Sequence, residues 1–246
     1  MRVLLTSGGT KVPIDRVRSI TNMSRGTFGA KIARQFLLFP DVSLTYLGAK
    51  EFRMPFSIHE DFAESEGYDA IQTVVDRAVQ YANCAERYRQ ITYKTFDDYA
   101  NRLRECLNLP TNMLPDVVVL TAAVSDYVVS NPIDGKVRSR DDLEIQLEKA
   151  PKLIREIKER HPNCKLIGFK LLVDSNDEEL ILAAQDSIKK NGCDLVVAND
   201  LRDIRAGKHR LLLVSDDAVK EYHSNPYDPE YLANVVAKES HKLGQT

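Results

Sequence analysis

The stretch that decides the fold is Val3-Leu4-Leu5-Thr6-Ser7-Gly8-Gly9-Thr10, an apolar run that breaks into a small, polar turn. The loop Asp15-Arg16-Val17-Arg18-Ser19-Ile20-Thr21-Asn22-Met23-Ser24-Arg25-Gly26 then leads into a helical pattern at Thr27. In α/β proteins, a buried strand that ends in glycines before a helix presents backbone N–H groups to a phosphate. The glycines at 8, 9, 26 and 29 do not have the G-x-G-x-x-G spacing, which argues against an ordinary dinucleotide site.

Composition indicates one sizeable globular unit. The chain has 246 residues, 43% of them hydrophobic and 28% charged, and we expect a single α/β domain over residues 1–246. The formal net charge of -2 gives no electrostatic case for a nucleic-acid or membrane partner. No apolar run is long enough to cross a bilayer, and the first residues leave no room for a signal peptide. The scattered cysteines and histidines form no metal motif, so we expect free thiols, no protein metal site and a cytoplasmic location.

Short apolar runs alternate with helical patterns along the chain. Runs rich in Val and Leu predict buried parallel strands at 3–5, 42–47, 117–123, 166–169 and 195–198. Apolar residues at helical spacing predict helices from residue 27, over 71–81, after Thr95, and over 151–160 and 178–191. This alternation predicts a doubly wound, Rossmann-like parallel sheet with right-handed crossovers.

Two segments depart from this alternation. Residues 82–115 are charged and rich in Tyr and Arg, which predicts a solvated helical insertion, with a subunit contact as the alternative. Residues 128–150 begin as a Pro/Asp/Gly loop and end in Leu143-Glu144-Ile145-Gln146-Leu147-Glu148. The alternation of apolar and polar residues there predicts a half-exposed strand that projects from the core and pairs with another element.

Ligands of open parallel sheets bind beyond the carboxyl ends of the strands. Four predicted strand ends carry small or polar residues, at 7–10, 121–126, 168–170 and 198–200. No Ser-His-Asp or Cys-His set and no carboxylate pair occurs at these ends, so this edge is suited to positioning polar groups and stabilising phosphate charge. The residues available for that chemistry are Gly8, Gly9 and Thr10, whose backbone can approach an anion closely, and Arg18, Asn22 and Lys136 on loops.

Each of the three loop side chains also has a simpler interpretation. Arg18 can form a surface ion pair with Asp15. Asn22 can cap the helix that follows it, a role that is compatible with touching a ligand. Lys136 can be a solvated loop lysine, and sequence spacing alone does not decide among these alternatives.

Six blocks of the chain are specific in combination and in order. They are Thr6-Ser7-Gly8-Gly9-Thr10, Ile14-Asp15-Arg16-Val17-Arg18-Ser19-Ile20-Thr21-Asn22-Met23-Ser24-Arg25-Gly26, Ala122-Ala123-Val124-Ser125-Asp126-Tyr127, Lys136-Val137-Arg138-Ser139, Ile167-Gly168-Phe169-Lys170-Leu171 and Val197-Ala198-Asn199-Asp200-Leu201. Together they resemble the phosphopantothenoylcysteine synthetase family in its stand-alone bacterial form, over nearly the whole chain.

The resemblance implies a ligase that makes 4′-phosphopantothenoylcysteine in coenzyme A biosynthesis. The carboxylate of 4′-phosphopantothenate attacks a nucleoside triphosphate to give an acyl-nucleotide and pyrophosphate, and the amine of L-cysteine then displaces the nucleotide. The resemblance implies CTP as the preferred nucleotide, with ATP as the alternative, together with Mg²⁺ and without a flavin. It also implies a homodimer that uses residues 128–150 as its projecting strand region.

The resemblance implies catalytic roles for three residues. Asn22 would hold the activated acyl group, Arg18 belongs to the same loop, and Lys136 would face the nucleotide phosphates. Substrate contacts are implied for Arg18, Asn22 and Ala123. Nucleotide contacts are implied for Gly8, Gly9, Thr10, Leu120, Thr121, Ala122, Asp126, Lys136, Lys149, Ala150, Pro151, Phe169 and Lys190.

The chain departs from the family pattern at two elements. The K-x-K-K element of the family is Lys136-Val137-Arg138-Ser139 here, which puts Ser139 in doubt as a phosphate ligand. Of two lysines that relatives carry on the helix before the last core strand, Lys190 matches one, with Lys189 beside it. Ala184-Gln185-Asp186-Ser187 occupies the place of the other.

Two other functions remain compatible with the first strand and its glycine turn. One is an NAD(P)-dependent reductase on a Rossmann fold, against which stand the missing G-x-G-x-x-G and the lack of a Tyr-x-x-x-Lys pair at a predicted strand end. The other is a non-catalytic nucleotide-binding module. Dependence of pyrophosphate release on CTP and 4′-phosphopantothenate separates both from the ligase.

Overall fold

A mostly parallel sheet forms the centre of the protein in a computed structural model that describes residues 1–57, 68–138, 143–206, 210–225, 227–228 and 230–245. The strands of this part of the chain are β1 (Arg2–Ser7), β2 (Lys11–Pro13), β3 (Ser19–Thr21), β4 (Ser43–Ala49), β5 (Tyr88–Tyr93), β6 (Val117–Leu120), β7 (Tyr127–Val129), β8 (Leu147–Lys149), β9 (Lys165–Leu172), β10 (Leu195–Asp200), β11 (Arg210–Val214) and β12 (Val219–His223). The α-helices are α1 (Thr27–Phe36), α2 (Tyr68–Cys84), α3 (Phe96–Leu107), α4 (Leu153–Arg160), α5 (Asp177–Asn191), α6 (Leu201–Arg205) and α7 (Tyr231–Gly244).

The central sheet has eight strands in the order β12-β11-β10-β9-β6-β1-β4-β5. The six strands from β10 to β5 pair in parallel, and β11 and β12 extend the sheet with antiparallel pairing. The predicted α/β fold with a large, mostly parallel sheet is therefore confirmed.

The apolar runs form the central strands because both faces of the sheet are covered. Leu4 and Leu5 of β1 are both buried and enter different core clusters. Leu4 belongs to the cluster that includes Leu103 of α3, and Leu5 to the cluster that includes Phe36 of α1. Successive strand residues point to opposite faces, so one short apolar run supplies both layers.

Helix α1 approaches β1 closely because residue 29 is glycine. A Cβ atom at Gly29 would lie 2.2 Å from Thr121 Oγ1 and 2.3 Å from Ser7 Oγ. The N-terminus of the helix therefore lies directly over the ends of β1 and β6.

The segment 82–115 differs from the predicted helical insertion. It contains α3, but residues 88–93 form β5, the edge strand of the central sheet next to β4. Three of the six β5 residues, Arg89, Gln90 and Thr92, are polar and exposed, so the strand does not appear in a search for continuous apolar runs. A large part of this segment therefore belongs to the core architecture.

The segment 128–150 forms a small separate sheet within the described residues. β7 pairs antiparallel with β8, with Tyr127 opposite Lys149 and Val129 opposite Leu147. The strand begins at Leu147, so residues 143–146 of the predicted strand are not part of it, and residues 139–142 lie outside the described residues. A use of this region in dimerisation stays a prediction.

No helix of the described ranges combines the length and the apolar character that a membrane crossing requires.

Candidate functional site

The ends of β1 and β6 are joined by hydrogen bonds beyond the strands themselves. Ala123 N–H donates to Gly8 O at 2.9 Å, and Thr10 N–H donates to Ala123 O at 3.3 Å. The predicted turns at 7–10 and 121–126 are therefore neighbours, with Gly9 opposite Ala123. Leu120, Thr121 and Ala122 lie at the end of β6 beside them, where Thr121 Oγ1 donates to Thr6 O at 2.7 Å.

The turn after β1 has the geometry of an anion-binding nest. Gly8 has a φ of 90°, a conformation that favours glycine. Within the described residues, the backbone N–H groups of Gly8 and Gly9 make no hydrogen bond. Gly26, at the N-cap of α1, lies against this turn, because a Cβ atom there would be 3.3 Å from Gly8 Cα. Successive free N–H groups beside a helix N-terminus are suited to bind a phosphate.

Asn22 lies over the same turn. Its Nδ2 donates to Ala123 O at 3.0 Å, and a Cβ atom at Gly9 would lie 2.7 Å from Asn22 O. The side chain is half-buried, which leaves its Oδ1 and its second N–H able to reach a ligand. Because Gly26 occupies the N-cap of α1, the alternative interpretation of Asn22 as the helix cap is wrong.

Arg18 forms the expected ion pair with Asp15, with NH1 2.7 Å from Asp15 Oδ2. The Asp15 side chain is fully buried and also accepts the N–H groups of Val17 at 2.7 Å, Arg18 at 2.6 Å and Val137 at 3.1 Å. These backbone hydrogen bonds, that of Val17 foremost, lower the pKa of Asp15 to about 2. The Arg18 side chain is 38% exposed and can therefore contact a ligand while it is paired with Asp15.

Lys136 belongs to a loop that is bound to the Asp15–Arg18 loop. Arg16 N–H donates to Gly135 O at 3.0 Å, and Val137 N–H donates to Asp15 Oδ2 at 3.1 Å. Both neighbours of Lys136 are held in this way, whereas its own side chain is exposed and forms no ion pair with a described residue. Arg138 is also exposed, and Ser139 lies outside the described residues.

The small β7–β8 sheet brings a further set of predicted residues to the site. Ala150 N–H donates to Asp126 O at 2.9 Å, which puts Lys149, Ala150 and Pro151 beside the 121–126 turn. Ser125 N–H donates to Thr10 Oγ1 at 3.0 Å and links this turn to the glycine turn. The Asp126 carboxylate accepts from Lys152 Nζ at 2.5 Å and is exposed.

Phe169 and Lys190 lie at different ends of the sheet. Phe169, near the end of β9, packs edge-on against Phe28 in the first turn of α1, with ring centroids 6.2 Å apart. Lys190 lies in the last turn of α5 and pairs with Asp186 at 2.9 Å.

The direction of α5 separates Lys190 from the other predicted residues. The helix begins beside Asp200 at the carboxyl end of β10, where Ser175 N–H donates to Asp200 Oδ2 at 2.8 Å. It then runs for 15 residues, about 22 Å, to the opposite edge of the sheet. The structure therefore does not bring Lys190 to this site, which corrects its assignment as a nucleotide contact.

Two further cations, Arg25 and Lys170, belong to the same sequence blocks as the residues of the site. Arg25 precedes Gly26 at the start of α1, and Lys170 follows Phe169 in β9. Neither forms an ion pair with a described residue. Arg25 directly precedes a glycine and Lys170 directly follows the apolar run at 166–169, and this is the signal that could have identified them.

The described residues contain no group of three or more His, Cys, Asp or Glu side chains that could hold a metal ion. Asp126 provides an exposed carboxylate at the site. This donor set fits an Mg²⁺ ion that keeps most of its waters and is bound chiefly by substrate phosphates.

Comparisons with known proteins show which family the chain resembles. The model of the family described as DNA/pantothenate metabolism flavoprotein C-terminal domain matches residues 1–46 and 99–240. The coenzyme A biosynthesis bifunctional protein CoaBC of Thermococcus kodakarensis is 34% identical over 220 residues, which are 89% of this chain and 46% of that protein. The phosphopantothenate--cysteine ligase CAB2 of Saccharomyces cerevisiae is 26% identical over 239 residues, covering 81% of this chain and 65% of that protein.

A solved structure is similar over the whole fold. The crystal structure of the DNA/pantothenate metabolism flavoprotein from Streptococcus pneumoniae has a TM-score of 0.73 and 27% sequence identity, and the match covers 98% of this chain and 99% of that one. The chain spans only about half the length of the Thermococcus relative, so the similarity concerns one part of that protein. The family match extends over most of the sequence, and the chain belongs to the DNA/pantothenate metabolism flavoprotein C-terminal domain family.

Proposed function

We propose that this chain is a phosphopantothenate–cysteine ligase that acts through an acyl-nucleotide. Two observations support the proposal: the free N–H groups of Gly8 and Gly9 lie beside the amide of Asn22 on Ala123, and the cations Arg18 and Lys136 lie on two loops that are joined through Asp15. The Saccharomyces relative is named a phosphopantothenate--cysteine ligase.

In the first step, a carboxylate oxygen of 4′-phosphopantothenate attacks the α-phosphorus of the nucleoside triphosphate. The bond from that phosphorus to the bridging oxygen breaks, and pyrophosphate leaves. Attack of an anion on a triphosphate brings like charges together, so preorganised cations and N–H donors lower the barrier. Lys136 and the exposed part of Arg18 supply the cations, and the glycine turn supplies the donors.

In the second step, the amine of L-cysteine attacks the acyl carbon. The nucleoside monophosphate leaves with its electron pair, and the amine loses a proton as the amide forms. Asn22 has one N–H engaged by Ala123 O, which fixes the side chain, and its remaining N–H and Oδ1 can hold the acyl group and the incoming amine.

Mg²⁺ fits the proposal as a companion of the triphosphate. Asp126 is the residue that would approach the ion, alone or through a water molecule, with the other ligands coming from phosphate and water. When bound, the ion would neutralise the phosphate oxygens during pyrophosphate departure. CTP is the proposed nucleotide, with ATP as the alternative.

A homodimer belongs to the same proposal. Exposed apolar side chains surround the site on the loops and on the β7–β8 region, which is unusual for a surface that stays free. They include Met23 at 92% exposure, Tyr127 at 51%, Ile133 at 43%, Leu143 at 42% and Leu147 at 44%.

A coupled assay tests the proposal. The purified chain is given CTP or ATP, Mg²⁺ and 4′-phosphopantothenate, with and without L-cysteine, while released pyrophosphate and product mass are measured. We expect pyrophosphate release to require 4′-phosphopantothenate, and the amide product to appear only with cysteine. Tight NADPH binding without any effect of CTP would identify a reductase. Nucleotide binding without pyrophosphate release would identify a binding module.

A further inference from the structure

The Tyr93 side chain is hydrogen-bonded to the glycine turn after β1 from its buried side. Tyr93 is the last residue of β5 and is 2% exposed. Its hydroxyl donates toward two main-chain carbonyls, Ser7 O and Gly8 O, each at 2.9 Å. Both carbonyls belong to the end of β1, where the free N–H groups begin.

The two carbonyls define the direction of the two free N–H groups. A trans peptide is planar, so its N–H points opposite to its C=O. The peptide that contains Ser7 O also contains the N–H of Gly8, and the peptide that contains Gly8 O also contains the N–H of Gly9. When the Tyr93 hydroxyl holds both oxygens, both N–H groups therefore point away from Tyr93.

The hydroxyl is a dependable donor in this place. Burial raises the pKa of Tyr93 well above its ordinary value, so the phenol stays protonated. Gly8 O also accepts the N–H of Ala123 at 2.9 Å, and Ser7 pairs with Gly48 at the end of the β1–β4 ladder, so the Tyr93 hydroxyl adds a further contact to two carbonyls at the end of the strand.

We propose that Tyr93 is a positioning residue that fixes the Ser7–Gly8 and Gly8–Gly9 peptides so that both N–H groups bind one phosphate group. The phosphate comes from the nucleoside triphosphate or from 4′-phosphopantothenate, and in its catalytic consequence the inference rests on the proposed ligase function. Tyr93 itself does not touch the ligand.

The core offers a matched control. Tyr99 is also 2% exposed and packs edge-on against Tyr93, with ring centroids 5.0 Å apart. Its hydroxyl faces Thr6 Oγ1 at 3.5 Å and makes no contact with the Ser7 or Gly8 carbonyl. Tyr93→Phe and Tyr99→Phe each remove one buried hydroxyl from the same cluster, but only the first removes hydrogen bonds to the glycine turn.

The experiment compares the two variants with the unaltered protein. Calorimetric titration with inorganic pyrophosphate and Mg²⁺ measures phosphate binding without turnover. Tyr93→Phe is expected to weaken this binding about fivefold to tenfold, the effect of one hydrogen bond. Tyr99→Phe is expected to leave it unchanged. In the ligase assay, KM should rise in Tyr93→Phe for the substrate whose phosphate uses the turn, CTP or 4′-phosphopantothenate, while KM for L-cysteine stays the same.

Equal pyrophosphate affinity in the two variants and the unaltered protein would overturn the inference, as would an equal loss in both variants. Amide NMR of the unaltered protein gives a second measurement that does not depend on a variant folding. Pyrophosphate should shift the Gly8 and Gly9 resonances, and shifts confined to other residues would overturn the inference. An unaltered chain that binds pyrophosphate at these amides but makes no amide product contradicts the proposed ligase function and leaves the role of Tyr93 in place.

Discussion

Asn22 is the side chain through which the loop after β3 meets the end of β6. One of its N–H groups is engaged by Ala123 O, so the side chain cannot rotate freely before a ligand arrives. The site therefore has two separate parts. The free N–H groups of the glycine turn stabilise the negative charge of a phosphate, and the fixed amide of Asn22 orients the acyl group. Substitutions in the glycine turn and at Asn22 should therefore slow different steps of the reaction.

Asn22→Asp should slow amide formation more than pyrophosphate release. The carboxylate has no N–H for Ala123 O and repels it, so the acyl group loses its orientation while the cations that assist activation remain. Rapid-quench measurement of pyrophosphate and product in one reaction checks this. The exposed Asn163→Asp makes the same chemical change at the opposite edge of the sheet and should alter neither step; equal slowing of both steps in Asn22→Asp argues against the proposed role.

Lys136→Gln should impair activation about 10²-fold, the loss expected for one preorganised donor to a developing charge. The loop that carries it stays in place because its attachments are backbone contacts of Gly135 and Val137. Single-turnover pyrophosphate release measures the effect. Lys238→Gln, an exposed change on α7, serves as the control, and full activity in Lys136→Gln would show that the lysine does not serve the phosphates.

Residues of the site differ in how far the sequence could identify them. Gly8, Asn22 and Lys136 lie in ordered blocks, and strand ends of a parallel sheet meet at one edge, so their proximity could be predicted. Lys190 could not be located in this way, because its position depends on the direction and length of α5. The sequence did not identify Tyr93, because a buried tyrosine beneath a turn leaves no periodic pattern in the chain.

At the level of elements, the loops that carry Arg18 and Lys136 form one unit because Asp15 is hydrogen-bonded to both. Its buried carboxylate accepts three backbone N–H groups and the Arg18 guanidinium, from residues on both loops. The loops that carry Arg18 and Lys136 therefore keep a fixed relation without a ligand.

The lowered pKa of Asp15 makes this connection between the two loops sensitive to acid. Its pKa falls from an ordinary 3.8 to about 2 in the folded protein, so its stabilising contribution is present above about pH 4 and is lost as the pH falls through about 2. Asp15→Asn should lower the free energy of unfolding at neutral pH and reduce its fall between about pH 4 and pH 2. Urea unfolding across this range measures both effects.

Asp217→Asn is the control for that experiment, because Asp217 lies on the exposed turn between β11 and β12. Its pH profile should match that of the unaltered protein. An Asp15→Asn profile that matches it as well would mean that the Asp15 carboxylate does not hold the loops.

The sequence identified the central strands but not the edges of the sheet. β1, β4, β6, β9 and β10 are buried on both faces and therefore read as apolar runs. β5 and β12 are edge strands with many exposed residues, and such strands give a weaker pattern. β11 does carry an apolar run, but its antiparallel place after α6 falls outside the strand–helix alternation.

For the whole molecule, the exposed apolar surface bears mainly on oligomeric assembly. Leu147→Asp should convert the proposed homodimer to a monomer, because it puts a charge on the β7–β8 region that would be buried between copies. Sedimentation velocity measures the change. Leu182→Asp, an equally large change at a 57% exposed residue on α5, should leave the dimer intact. A chain that sediments as a monomer before any substitution contradicts the dimer.

The contacts that build the site join parts of the chain that are far apart in sequence. Asn22 reaches Ala123 across 101 positions, Ser125 reaches Thr10 across 115, and Asp15 reaches Val137 across 122. Such long-range contacts form late and slowly during folding, since a large loop must close before they contribute. During synthesis the loop over residues 14–26 therefore stays without these partners until the residues up to 137 have left the ribosome. The Asn22–Ala123 contact needs the end of β6 beside β1, and the Asp15–Val137 contact also needs the loop that follows β7.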